Sequence, residues 1–207
     1  IMVNLDFKDV NKKELMNNMQ NIMDTTQFLS QTINDFQNFY KINKNEEEFN
    51  ITQTIKMCIN IVDSSLSTNN IKIILNCDAN INTKNLKNEF TQAIINLLSN
   101  AKDALCENVD IKNKRYIFIN LKKVNDIITL KIKDNAGGIS DNIINNIFEQ
   151  HFSTKENNGS GIGLFMSKQI INEHMKGSLT VENANFQYEH QEYTGAQFTI
   201  SFIQQKN

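Results

Sequence analysis

Two asparagines one helical turn apart, Asn96 and Asn100, are the residues of this chain whose types and spacing most invite chemistry. Asn is a mediocre choice inside a helix, so a pair at i, i+4 with few compensating charges asks for a reason. An amide oxygen is a hard, neutral ligand that suits Mg²⁺ when phosphate oxygens and water complete the shell. A second candidate is Asp134, followed by Asn-Ala-Gly137-Gly138-Ile139. A carboxylate directly before a flexible turn can accept a hydrogen bond from an exocyclic amine, such as that of adenine, while the turn approaches the flat ring closely. A third is Gly159-Ser160-Gly161-Ile162-Gly163-Leu164, which runs into an apolar-periodic segment. Backbone amides at a helix start suit a phosphate. This is neither a P-loop, since no Gly-Lys-Ser/Thr follows, nor a dinucleotide fingerprint, since the spacing is G-x-G-x-G after a polar loop. Between the glycine segments, Phe148 and Phe152 can anchor a loop from which Lys155 reaches a phosphate. Each motif alone also reads as something plainer: a solvated helix face or an ordinary turn.

The elements that must position these residues follow from periodicity. Over Lys87–Cys106, Phe90, Ile94, Leu97, Leu98, Ala101 and Leu105 share one face of a helix, while Glu89, Gln92, Asn96, Asn100 and Asp103 share the other. Around it the pattern predicts a strand near Phe49–Ile51, a helix Thr52–Leu66, and strands Ile71–Asn76, Tyr116–Lys122 and Ile127–Lys133. A helix after Gly161 and strands Ser178–Glu182 and Ala196–Phe202 complete the set. Helices interleaved with strands whose last pairs read as hairpins imply an α+β fold, a two-layer α/β sandwich with a mixed sheet. In front of it, Leu15, Met19, Ile22, Thr26, Leu29, Ile33, Phe36 and Tyr40 alternate spacings of four and three, the seam of a coiled coil or helical bundle. A lone amphipathic helix cannot bury that stripe, so it packs on a second copy, a neighbouring helix or the domain's own core. The polar run Asn43–Glu48 marks a boundary between residues 1–45 and 46–207.

Composition excludes several classes. The formal net charge of −2, with no basic arm, leaves no electrostatic footprint for a nucleic acid. No run of eighteen apolar residues crosses a bilayer, so these residues make no membrane contact of their own. Cys58, Cys77 and Cys106 are far apart and odd in number, which argues against a disulfide framework and for a reducing, cytoplasmic setting. A first residue other than Met suggests a piece of a longer protein.

Taken in order, the segments resemble the nucleotide-binding boxes of the family that unites DNA gyrase, Hsp90, histidine kinases and MutL. Gln92 to Ala101 resembles the N box, in which Asn100 would coordinate Mg²⁺ and Asn96 would contact phosphate or position a water. Asp134 to Ile139 resembles the first glycine box, whose aspartate reads the adenine amino group. Phe148 to Lys155, with Thr154, resembles the F box, and Gly159 to Leu164 the second glycine box, with an ATP lid over roughly 141–160. Thr194 to Ile200 resembles the final glycine box, whose threonine, taken as Thr199, would hold a water against adenine.

Within that family the residue at position 96 separates the branches. Gyrase-like ATPases carry a glutamate there as general base; Asn96 cannot accept a proton at neutral pH. With the heptad segment, this resembles a sensor histidine kinase including the second helix of its dimerisation hairpin. The resemblance implies Mg·ATP, transfer of the γ-phosphoryl group to a histidine, relay to the receiver domain of a response regulator, a homodimer through the N-terminal helix, and a membrane-anchored parent. None of His151, His174 and His190 lies on that helix, so the acceptor is expected upstream. Ala136 stands where many members have a glycine, and Asp103 where many kinases have a phosphate-contacting lysine, a role left to Lys102 or Lys155. A gyrase-type ATPase or clamp, an anti-sigma-type serine kinase and a nucleotide-binding pseudokinase are the alternatives.

Overall fold

The computed structural model describes residues 15, 16, 18–20, 22, 23, 26, 45–77, 80–153 and 161–205. Two units are distinguished, and the larger, Asn43–Phe152 with Gly161–Asn207, carries the sheet and its helices. In the other, the described positions between 15 and 26 are helical, and Leu15, Met19 and Ile22 of the heptad seam are exposed. The rest of that seam, Leu29 to Tyr40, lies outside the described residues.

The larger unit runs β1 (Glu47–Asn50), α1 (Ile51–Thr68), β2 (Ile71–Cys77), β3 (Asn82–Asn85), α2 (Lys87–Asn108), β4 (Arg115–Val124), β5 (Ile127–Asp134), α3 (Gly163–Gln169), a π-helical turn (Ile170–His174), β6 (Ser178–Tyr188) and β7 (Gln191–Ile203). Five strands form one sheet in the order β2-β4-β5-β7-β6, and β1 and β3 make a separate ribbon. Only β2 and β4 of the sheet run parallel, because the chain between them crosses over through α2; the remaining neighbours are antiparallel.

Period two sorts the sheet into faces. Ile117, Ile119 and Leu121 of β4, Ile128, Leu130 and Ile132 of β5, and Phe198, Ile200 and Phe202 of β7 join one core with Ile51, Ile55 and Cys58 of α1 and the buried stripe of α2. That stripe is the one the wheel assigns, with Ala93 added: Phe90, Ile94, Leu97, Leu98, Ala101 and Leu105 are buried. Each such side chain contributes roughly 1.5–3 kcal/mol. Because α2 is clamped along its apolar side, the opposite side is presented at a fixed orientation. The chain enters α1 through Asn50, whose Oδ1 accepts from the Gln53 N–H at 2.9 Å.

Three features depart from the expected elements. The ribbon strand β3 has no apolar alternation to betray it; it exists because it pairs with β1 and because the Lys84 N–H donates to the Gln205 carbonyl at 3.2 Å. The strand expected at Phe49–Ile51 ends at Asn50, where α1 begins. The last hairpin is also longer, since β6 and β7 continue to Tyr188 and back from Gln191. Its two-residue turn uses Glu189 and His190 at φ 49° and 63° with no glycine, so it carries none of the usual hairpin signal. The extra length lies over the outer face, where Phe186, Tyr188 and Tyr193 pack edge-on against Tyr116 and Phe118. Among the described residues no helix is long and apolar enough to cross a membrane.

Candidate functional site

The polar face of α2 meets the start of α3. The Asn96 Nδ2 donates to the Gly163 carbonyl at 3.4 Å and to Ser167 Oγ at 3.5 Å, and the fully buried Ser167 hydroxyl donates to the same carbonyl at 2.9 Å. One turn on, the Asn100 Nδ2 donates back to the Asn96 carbonyl at 2.9 Å. That bond uses the amino end of the Asn100 amide and not its oxygen. Asp103, on the same face, is 2.9 Å from the Lys102 ammonium, so this stretch of α2 already carries a cation beside the acidic residue. Gly163 has room: a Cβ there would come no nearer than 3.9 Å, to Asn96 Cγ.

Asp134 ends β5 on the helix-side face and is only 2% exposed. The Ala136 N–H donates to its Oδ1 at 2.9 Å, and the Ala196 N–H, from the neighbouring strand, at 3.2 Å. Both bonds fall on one oxygen, Oδ1. Burial pushes the carboxyl up to about 6, with the backbone N–H groups opposing the shift. A buried carboxyl raised in this way is a candidate functional position.

The turn beyond Asp134 is built for close approach. Gly137 and Gly138 have φ of 92° and 87°, and the Gly137 N–H donates to the Thr194 carbonyl at 2.9 Å. Gly138 and Ile139 are pinned by Asn183 on β6, whose Oδ1 accepts from the Ile139 N–H at 2.8 Å and whose Nδ2 donates to the Ile139 carbonyl at 2.7 Å. A Cβ at Gly138 would sit 2.6 Å from that Oδ1. An open cavity of about 550 Å³ lies beside the turn among Asn108, Lys112, Lys114, Gly137 and Tyr193. Neither Asp134 nor the two asparagines line it, so it adjoins the candidate site without being it.

Phe148 packs edge-on against Phe198 with ring centroids 6.3 Å apart, and the Lys168 ammonium lies 4.9 Å from the Phe148 centroid. Phe148, Phe152, Ile139 and Leu164 all lie half-buried against the core. On the far side of the loop, Gly161 has φ 61° and its carbonyl accepts from the His151 N–H at 3.2 Å, while Ile162 is buried at the start of α3. Thr154, Lys155, Gly159 and Ser160 lie outside the described residues.

The structure therefore sets Asn96 against Gly163, with Asn100 one turn further along α2, and places Gly138 and Ile139 in the turn that leaves Asp134. Thr199 is a correction. It pairs with Lys131 of β5 and Thr180 of β6, one residue out of phase with Ile132 and Phe198, and so lies on the outer face, away from Asp134. The residues of the final glycine box that meet Asp134 are Gly195, by close backbone approach, and Ala196, through its N–H. Sequence reasoning also passed over Gly195, Asn135 and Asn183 as site residues. A glycine in the middle of a strand signals a close approach and could have drawn attention to Gly195. The two asparagines act through side-chain bonds to backbone that no spacing reveals.

His174 Nδ1 lies 2.8 Å from Glu89 Oε2, joining the start of α2 to the end of the π-helical turn, and His190 sits at the exposed tip of the last hairpin.

Residues 85–206 match the family of histidine kinase-, DNA gyrase B- and HSP90-like ATPases. The two-component sensor PprA of Pseudomonas aeruginosa is 39% identical over 100 residues, which is 46% of this chain and 10% of that protein. Sporulation kinase E of Bacillus subtilis is 27% identical over 139 residues, 66% of this chain and 18% of its own length. The chain thus spans a small part of the curated relatives it matches. Among solved structures, the catalytic domain of histidine kinase ThkA superposes with a TM-score of 0.65 at 22% identity, over 78% of this chain and 97% of that one. A structure of ThkA in complex with the response regulator TrrA gives 0.66 at 18% identity, over 98% and 53%. At these identities the likeness is one of fold, and it agrees with the mixed sheet backed by helices. From the match that begins just before α2 and runs through β7, taking in every described part of the site, the chain belongs to the family of histidine kinase-, DNA gyrase B- and HSP90-like ATPases.

Proposed function

We propose that this chain is the nucleotide-binding catalytic region of a sensor histidine kinase, which binds Mg·ATP and passes the γ-phosphoryl group to a histidine outside residues 1–207. The observation that carries the reading is the amide at position 96. Its Nδ2 is engaged with Gly163 and Ser167, and it offers no carboxylate to deprotonate a water, which favours transfer to a side chain over hydrolysis.

In this reading Asp134 Oδ2 accepts from the adenine amino group, and the Gly138–Ile139 backbone, fixed by Asn183, lies along the ring. The Asn96–Gly163 junction holds the phosphate end, with the Gly161–Gly163 amides and Lys155 as donors. Among the described residues no three His, Cys, Asp or Glu side chains come together, so a divalent ion would take Asn100 Oδ1 and complete its shell with phosphate oxygens and water. Such an ion, when bound, neutralises charge on the phosphates. The protein's part is orientation, since phosphoryl transfer asks mainly for positioning and electrostatic support. Residues 1–45 would form part of a homodimer hairpin and residues 46–207 the ATP-binding domain, with the receiver domain of a response regulator as the downstream partner, and the whole would belong to a membrane-anchored sensor working on the cytoplasmic side.

The test is to give the chain γ-labelled ATP, alone and with a separately made segment carrying the acceptor histidine. Acid-labile, base-stable label on that segment is expected. Acid-stable label on the chain itself, or release of phosphate as the main product, would sink the reading.

A further inference from the structure

The register of the sheet leaves an unfinished edge next to Asp134. The last rung between β4 and β5 sets Ile117 opposite Asp134, yet β4 begins two residues earlier, and there Arg115 and Tyr116 have a strand partner only in β2. On the β5 side the Tyr116 N–H and the Lys114 carbonyl would be left without a rung. Asn135 supplies one with its side chain. Its Oδ1 accepts from the Tyr116 N–H at 2.7 Å and its Nδ2 donates to the Lys114 carbonyl at 2.9 Å. A carboxamide carries the same acceptor and donor pair as a peptide unit, so the side chain continues the ladder while the backbone leaves it. Asn135 is 8% exposed and Tyr116 4%, so water does not replace these bonds cheaply.

That arrangement fixes the direction in which the chain leaves β5. From Asn135 the next N–H, that of Ala136, returns to Asp134 Oδ1. The Gly137 N–H then crosses to Thr194. The carboxylate is thus gripped from its own chain through Ala136 and from β7 through Ala196, and the first grip depends on where Asn135 holds the turn.

We propose that Asn135 is a positioning residue for base selection: by standing in for a β-sheet rung it orients Asp134 so that Oδ2 meets an amino group on a purine. The inference rests on the reading of Asp134 as the adenine contact. The consequence concerns selectivity rather than nucleotide binding as such, because the phosphate end is assigned above to the Asn96–Gly163 junction, whereas the Asn135 side-chain bonds run to Tyr116 and Lys114.

The experiment compares Mg-dependent binding of ATP and of inosine triphosphate, which has a carbonyl where adenine has its amino group, by calorimetry on the whole chain. Wild type, Asn135→Ala and Asn135→Asp are measured, with Phe118→Leu as a control that loosens the outer aromatic cluster without touching the turn. Wild type is expected to prefer ATP by about tenfold or more, the worth of one hydrogen bond to a charged group. Asn135→Ala should bring the two nucleotides to near parity by weakening ATP while leaving inosine triphosphate almost unchanged. Asn135→Asp, which keeps the acceptor for Tyr116 but turns a second oxygen on the Lys114 carbonyl, should fall between. It also serves if the alanine variant does not fold. Phe118→Leu should keep the wild-type preference. An unchanged preference in both Asn135 variants, or an equal loss for both nucleotides, overturns the proposal. A wild type without preference instead removes Asp134 as the reader, and the two failures are told apart by which protein shows them.

Discussion

A Cβ at Gly195 would stand 1.8 Å from the Asp134 carbonyl oxygen and 2.9 Å from its Oδ1. The ends of β5 and β7 are therefore closer here than any side chain permits, and the approach brings the Ala196 N–H within 3.2 Å of the carboxylate. Gly195→Ala must push the two strand ends apart. The expected result is a loss of ATP affinity of about tenfold or more, with destabilisation of about 1–3 kcal/mol. Calorimetry and urea unfolding read the two effects. Wild-type affinity in a folded variant would contradict the role given to Gly195.

Asp134 is held at a cost to the fold. Burial raises its carboxyl from 3.8 to about 6, so the folded chain binds this proton more tightly than the unfolded chain does. The group's favourable contribution is complete below pH 3.8 and is lost as pH rises through 6. At pH 7.5 the ionised carboxylate then destabilises by roughly 3 kcal/mol, given 1.36 kcal/mol per pKa unit. Asp134→Asn keeps an oxygen for Ala136 and Ala196 and should be more stable than wild type by about 1–3 kcal/mol at pH 7.5. The gain should fade toward pH 4 while ATP selectivity is lost at every pH. Urea titrations at both pH values decide it, and an equal gain at both would show that the carboxylate is not the source.

Periodicity was a sufficient guide wherever one side of an element is buried: the stripe from Phe90 to Leu105 is both the helix signal and the core. It failed where an element is made by partners distant in sequence. The strand at Asn82–Asn85 owes its form to β1 and Gln205, and the turn at Glu189 and His190 closes a hairpin whose register runs to Tyr188 and Gln191. The site divides the same way. Asn96, Asn100 and Asp134 stand out as candidates through residue type, spacing and the resemblance of their segments to the family's boxes. Asn135, Asn183 and Gly195 shape that site through backbone geometry, which a sequence records only as three more members of common residue types.

Thr199 provides a test of the face assignment. Its side chain lies with Lys131 and Thr180 on the outer side of the sheet, opposite Asp134. Thr199→Val keeps the β-branched shape and removes the hydroxyl. ATP affinity and the preference over inosine triphosphate should both remain within about twofold of wild type, since nothing that grips Asp134 changes. A selective loss of ATP binding would place the hydroxyl in the base pocket and overturn the face assignment.

Gly161 and Gly137 separate two reasons for needing glycine. Both have positive φ, 61° and 92°, so alanine at either pays about 1 kcal/mol or more of backbone strain. At Gly137 a Cβ meets nothing within 4 Å, whereas at Gly161 it would lie 2.5 Å from the His151 carbonyl carbon and 2.8 Å from the Phe152 nitrogen. Those are backbone atoms and cannot swing aside as a flexible side chain does. Gly161→Ala should therefore cost more stability than Gly137→Ala and should also open the junction between the F box and the start of α3, weakening ATP about tenfold or more. Its effect should fall on the phosphate end, so that ATP and inosine triphosphate weaken together. If Gly137→Ala proved the more damaging to stability, the His151–Gly161 contact would not be the constraint that holds the two segments together.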